Sequence, residues 1–216
     1  MNLTRLKKEL VFYGRRLSEK GFIAGYDGNL SGRLERGKIL ITPSLRPKGL
    51  LKAGDLVVTD RKGRKIAGRG RPSSEIAMHI IVYDWRPDIG ACCHAHPPYA
   101  TAFAAIGLKL PLGILPEVSI LLGDIPLVEY LPTGKADAWK KFDKYIDGHF
   151  AFLLKNHGVL TLGRNMEEAF ARMETVEHYA RIIYIGENMG RLKPLAKKEI
   201  ARLDEIRKNL FSPKEL

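Results

Sequence analysis

Two of the chain's six histidines stand one residue apart in ACCHAHPPYATAF, positions 91 to 103. Side chains at i and i+2 of a strand point the same way, so His94 and His96 share one face, with small Ala95 opposite. Two imidazoles so placed can reach a single divalent ion at about 2.0–2.1 Å. They could equally well just pack. A third ligand has to come from elsewhere, and His157 is the candidate, because it occupies a strand end beside Gly158, where the backbone can turn and expose the ring. His79, His149 and His178 lack such a setting. The first and last fall in helical patterns and His149 follows an Asp-Gly turn, so all three read as packing or surface residues.

Glu75 is the carboxylate with most to offer. It lies in PSSEIAMHIIVYDWRPD, 72 to 88, where proline and serines lead into apolar residues at helical spacing. That pattern predicts a helix capped by Ser73 or Ser74, with Glu75 in its first turn. A carboxylate there ordinarily does no more than complement the helix dipole. The two serines change the reading, since hydroxyls beside the free N–H groups of a helix start make a phosphate cradle. GNLSGR, 28 to 33, and TPS, 42 to 44, are two more small polar loops of the same type. A carboxylate beside phosphate donors and three histidines suits a general base or a displaceable fourth metal ligand.

These residues need elements to hold them. Residues 2 to about 20 carry Leu3, Leu6, Leu10, Phe12 and Leu17 near a 3.6-residue period, which predicts a helix. Strands are expected over 38 to 44 and 55 to 60, the second followed by the turn RKGRK, and over 90 to 96 and 125 to 130. FAFLLKNHGVLTLG, 150 to 163, reads as two strands joined at Asn156-His157-Gly158. PPYATAFAAIG predicts a helix after the prolines. Another is capped by Asn165 with Glu168 three residues on, and buries Phe170, Met173, Val176, Ala180 and Ile183. EIARLDEIRKNLF is a last helix. Strands and helices alternate without a regular βαβ period, so the fold class is mixed α/β or α+β.

The chain has 216 residues, 45% hydrophobic and 28% charged, with no internal repeat or linker, so one domain over 1–216 is expected. No apolar run reaches membrane-spanning length and the charged N-terminal helix is unlike a secretory signal. Cys92 and Cys93 are adjacent in an apolar run, which suits a reducing cytoplasm rather than a disulfide. The net charge of +12 is concentrated in the first third, from Arg46, Lys48 and Lys52 to Arg69 and Arg71. A solvated face accounts for this. An anionic small substrate is a second use of the same field, and no nucleic-acid module accompanies it. The absence of glutamine beside abundant Lys, Arg and Glu points toward a heat-loving source.

Taken together and in order, GNLSGR, ITPS, PSSE, HAH and NHG resemble the class II aldolase/adducin family, from about residue 5 to 205. The resemblance implies a largely antiparallel sheet flanked by helices and a homotetramer with active sites between subunits. It implies one zinc ion per chain on His94, His96 and His157, with Glu75 as the catalytic acid/base. It implies phosphate contacts from Asn29, Ser44, Ser73 and Ser74. The expected activity is reversible cleavage of a ketose 1-phosphate, L-fuculose 1-phosphate favoured, to dihydroxyacetone phosphate and an aldehyde through an enediolate. Dehydratase, epimerase and decarboxylase relatives use the same chemistry, although the epimerases place an aspartate where Glu75 stands. The adducin head is a non-catalytic version, and three converging histidines argue against that version here. The chain departs from the family's aldolases at two places. Leu45 replaces a glycine that offers a backbone N–H to phosphate. A tyrosine expected some twenty residues after the HAH is missing, and Glu117 is the nearby group that could act as an additional acid/base.

Overall fold

The computed structural model describes residues 2–132 and 136–211. Its centre is a sheet of eight strands: β1 (Asn29–Arg33), β2 (Ile39–Ile41), β3 (Val57–Thr59), β4 (Lys65–Ala67), β5 (Ala91–Ala95), β6 (Leu127–Val128), β7 (Ala151–Leu154) and β8 (Gly158–Gly163). The spatial order is β4-β3-β2-β1-β5-β8-β7-β6. Every pairing is antiparallel except β6 with β7, as expected of a mixed, largely antiparallel fold.

Helices cover both faces, because alternate residues of the central strands are apolar on both sides. Ala91, Cys93 and Ala95 of β5 pack with α1 (Leu3–Glu19), α3 (Pro98–Ile106) and α6 (Met166–Met189). Cys92 faces the other way, among Met78, Val82 and Tyr83 of α2 (Ile76–Trp85). His94 shares that parity, so the strand sends it toward the α2 side. The remaining helices are α4 (Pro116–Leu121), α5 (Asp143–Ile146) and α7 (Lys197–Phe211).

Several expectations needed correction. In α1, Leu6, Leu10 and Leu17 are buried, but Leu3 and Phe12 are exposed. The strand expected over 38–44 stops at Ile41, and Pro43 makes an isolated bridge with Pro72. β4 begins inside the expected RKGRK turn, while α4 and α5 had no clear periodic signal because each spans fewer than two turns. In α6, as expected, Asn165 caps the helix by accepting from Glu168 N, and all five expected apolar residues are buried.

Candidate active site

The strand register sets the histidines. Asn29 on β1 is the direct partner of His94 on β5, and Ala95 pairs with Val159 on β8. The β7–β8 hairpin turns at Asn156, whose φ of 56° is a left-handed conformation that asparagine tolerates. His157 follows and returns over the end of β5. Gly158 allows the close approach, because a Cβ there would collide with the His96 ring and the Ala95 carbonyl. The prolines after His96 end the strand, and α3 starts at Pro98. Glu177 of α6 holds that start, accepting from Tyr99 N at 3.0 Å and Ala100 N at 2.9 Å.

His94, His96 and His157 form one cluster whose ligand nitrogens all lie within 4.8 Å of one another. His94 Nδ1 donates to the Val159 carbonyl at 2.9 Å, which turns Nε2 toward the other two rings. His96 Nδ1 lies 3.3 Å from an Asp27 carboxylate oxygen, which turns its Nε2 to 3.3 Å from that of His94. Burial, then His94 and His157, lower the His96 pKa to about 4, so its ring is neutral. Glu75 lies across the cluster, Oε2 at 3.3 Å from His94 Nε2 and Oε1 at 2.9 Å from His157 Nε2. Oε1 is buried and makes no hydrogen bond despite that short distance. Three imidazole nitrogens and a buried carboxylate oxygen left without a hydrogen bond converge here, and a divalent cation satisfies such a set at once. The donor set therefore fits a metal ion.

Glu75 takes the N-cap position of α2 and not its first turn, at φ −98° and ψ 14°, and its side chain caps nothing. The expectation that Ser73 or Ser74 caps the helix is corrected. Ser73 Oγ does accept from Glu75 N, at 3.3 Å, but from two residues before the cap. Freed from capping, the carboxylate turns to the histidines. Burial opposes its ionisation, yet His94 and His157 outweigh that and hold the carboxyl well below the usual carboxylate range.

An ionised carboxylate only accepts, so the direction of a buried hydrogen-bond chain follows from it. Asn29 Nδ2 donates to Glu75 Oε2 at 2.8 Å, and Asn29 Oδ1 therefore accepts from His79 Nε2 at 2.5 Å. His79 Nδ1 then accepts from Ser31 Oγ at 2.7 Å, and Ser31 accepts from the Tyr83 hydroxyl at 2.7 Å. His79 is fully buried, and burial together with His94 lowers its pKa to about 3. The reading of His79 as an ordinary packing residue is thus incomplete, since it holds the amide that holds Glu75. The recoverable signal was spacing: Glu75, His79 and Tyr83 are four apart on one helix face. His178 is exposed and His149 half-buried, as expected of both.

One cavity of about 770 Å³ joins these groups, and its walls include Asn29, Ser44, Ser73, Ser74, Glu75, His96 and His157. Ser44 Oγ donates to the Pro72 carbonyl at 2.8 Å, clamping the 42–44 loop to the approach of α2. Leu45 has φ 52°, the left-handed conformation a glycine would prefer, and its side chain is 76% exposed. The backbone shape that glycine would give is kept. Lys48 and Arg71 also line the cavity, but most of the other basic residues of that region do not. Arg46, Arg61 and Arg64 instead face Asp55, Asp84 and Asp60 on the surface. Glu117 is exposed in the first turn of α4 and is not on the cavity wall, so one chain by itself does not bring it to the site.

Residues 8–184 match the Class II Aldolase and Adducin N-terminal domain. An L-fuculose phosphate aldolase of Methanococcus maripaludis (strain C5 / ATCC BAA-1333) is 34% identical over 174 residues, 81% of this chain and 93% of that one. A 3-oxo-tetronate 4-phosphate decarboxylase of Pectobacterium atrosepticum is also 34% identical, over 84% of each chain. A solved L-fuculose 1-phosphate aldolase superposes with a TM-score of 0.86 at 35% identity, covering 93% of this chain and 95% of that one. A fold and a sequence that agree over most of their length lead to one conclusion: this chain is a member of the class II aldolase and adducin family.

Proposed function

We propose that the protein is a metal-dependent aldolase that reversibly cleaves a ketose 1-phosphate, with L-fuculose 1-phosphate favoured, to dihydroxyacetone phosphate and an aldehyde. The observation that carries this reading is Glu75, a buried, ionised carboxylate between His94 and His157 at the wall of a cavity lined by serines. His94, His96 and His157 would hold a divalent ion, zinc in this reading, which would supply positive charge as a Lewis acid beside the reacting carbonyl. Ser44, Ser73 and Ser74 hold the phosphate and so orient the reacting carbon. Asn29 keeps a smaller share of that task, because its amide is already engaged by Glu75 and His79. In the synthetic direction Glu75 removes a proton from C3 of dihydroxyacetone phosphate, and in cleavage it returns that proton. The buried free thiols of Cys92 and Cys93 suit a reducing compartment, which supports a cytoplasmic location.

The test is hydrogen exchange. Given dihydroxyacetone phosphate alone in deuterated water, the enzyme should wash out one C3 hydrogen stereospecifically. Glu75→Gln is nearly isosteric and should slow the exchange about 10²–10⁴-fold, the usual cost of losing a general base. Each of His94→Ala, His96→Ala and His157→Ala should lower a metal content of about one ion per chain. The similarity to a decarboxylase supports a second reading, in which the same site stabilises the carbanion left by loss of carbon dioxide. No washout and no condensation with L-lactaldehyde would sink the aldolase reading, and carbon dioxide release from a 3-oxo acid phosphate would establish the other.

A further inference from the structure

Lys48 is 3% exposed, which is unusual for a lysine. Its backbone packs where Gly14 of α1 leaves room, since a Cβ at Gly14 would meet the Lys48 carbonyl at 2.9 Å. Its side chain runs to the cavity that holds Ser44, Ser73 and Ser74. There Nζ donates to the Tyr26 carbonyl at 2.6 Å and to the Arg46 carbonyl at 3.0 Å. Both partners are neutral. Among the described residues no carboxylate lies within 4 Å of the ammonium, so the charge is buried without an ion pair. Two of its three N–H groups are used and one remains. Burial lowers its pKa to about 8, even though Asp27 and Glu75 act to raise it. A buried cation without a counter-charge is costly, and an anion entering the cavity relieves that cost.

We propose that Lys48 is a binding residue for the phosphate of the substrate, donating its free N–H to a phosphate oxygen and supplying the positive charge that the serine hydroxyls lack. The inference rests on the proposed phosphorylated substrate, and it names the residue that makes the cavity selective for a doubly charged group. Lys48 sits between the Tyr26–Asn29 loop and the Ser44–Arg46 loop, the two loops that flank the serines, so one side chain ties the cradle together and charges it.

Direct calorimetric titration of the metal-loaded enzyme with inorganic phosphate tests this without turnover. Lys48→Gln keeps an amide able to donate to the two carbonyls but has no charge, Lys48→Met has neither, and Lys48→Arg keeps the charge. Phosphate affinity is expected to fall at least about tenfold, roughly 1.4 kcal/mol, in Lys48→Gln and Lys48→Met, with metal content unchanged. It should stay closer to wild type in Lys48→Arg. In the exchange assay Lys48→Gln should raise KM for dihydroxyacetone phosphate and leave kcat within about threefold, since the lost contact is made equally in ground and transition states. Dihydroxyacetone, which lacks the phosphate and carries no charge, should lose nothing. Wild-type phosphate affinity in Lys48→Gln would overturn the proposal and leave Lys48 as a tie between loops. An equal loss for dihydroxyacetone, or a wild type that does not bind phosphate, would overturn it as well. An enzyme that binds phosphate through Lys48 but exchanges no C3 hydrogen would sink the aldolase reading alone.

Discussion

At the scale of single residues, the site turns on which atoms can donate a proton. Glu75 accepts, and that one fact orients the Asn29 amide, the His79 tautomer, the Ser31 hydroxyl and the Tyr83 hydroxyl in turn. His79 must stay neutral for this chain to hold, which has a consequence for stability. Its folded pKa, about 3, is below its unfolded value near 6.5. Between these values the unfolded chain binds the extra proton, so stability falls as pH falls through that window and is complete above it. Each pH unit there costs about 1.4 kcal/mol. Urea unfolding should show the wild type losing about 2 kcal/mol relative to His79→Gln between pH 6.5 and 5. Parallel stability curves for the two proteins would refute the neutral, buried His79.

At the scale of elements, the β7–β8 hairpin and the start of α2 do the positioning. The hairpin was readable because Asn156-His157-Gly158 interrupts two apolar runs, and asparagine before a turn glycine tolerates positive φ. The N-cap of α2 lies one or two residues beyond the serines expected to supply it, because PSSE satisfies the composition of a helix start while Pro72 is bridged to Pro43. Local capping signals cannot see such a long-range bridge. The hairpin makes a sharp prediction. Gly158→Ala places a methyl against the His96 ring and the Ala95 carbonyl. Circular dichroism should show the fold retained, while metal affinity falls roughly 10- to 100-fold, the range seen when support of a ligand histidine is lost. Unchanged metal content under limiting metal would show that His96 does not need this close approach.

At the scale of the whole molecule, the cavity has an apolar rim on a polar site. Tyr26 is 59% exposed and Leu45 76%, and both stand on its wall. A second copy of the chain over this rim is consistent with the homotetramer that the family resemblance implies. Light scattering is expected to give a mass about four times that of the 24.3 kDa chain. A monomer that is fully active at the same concentration would rule out shared sites. The sequence by itself determined what depends on near neighbours along the chain. The parity of His94 and His96, the turn before Gly158 and the apolar stripe of α6 all follow from periods of 2 and 3.6 residues. The motif set also carried the family. Only the tertiary structure decided what depends on residues far apart in the chain. It bonded Asn29 to Glu75 across 46 positions and His79 to Asn29 across 50. It closed Lys48 into the cavity wall, and it left Glu117 outside. Burial and hydrogen-bond partners set the charge of each of these groups, and both are made by strands and helices whose distance in space is not written in their distance along the chain.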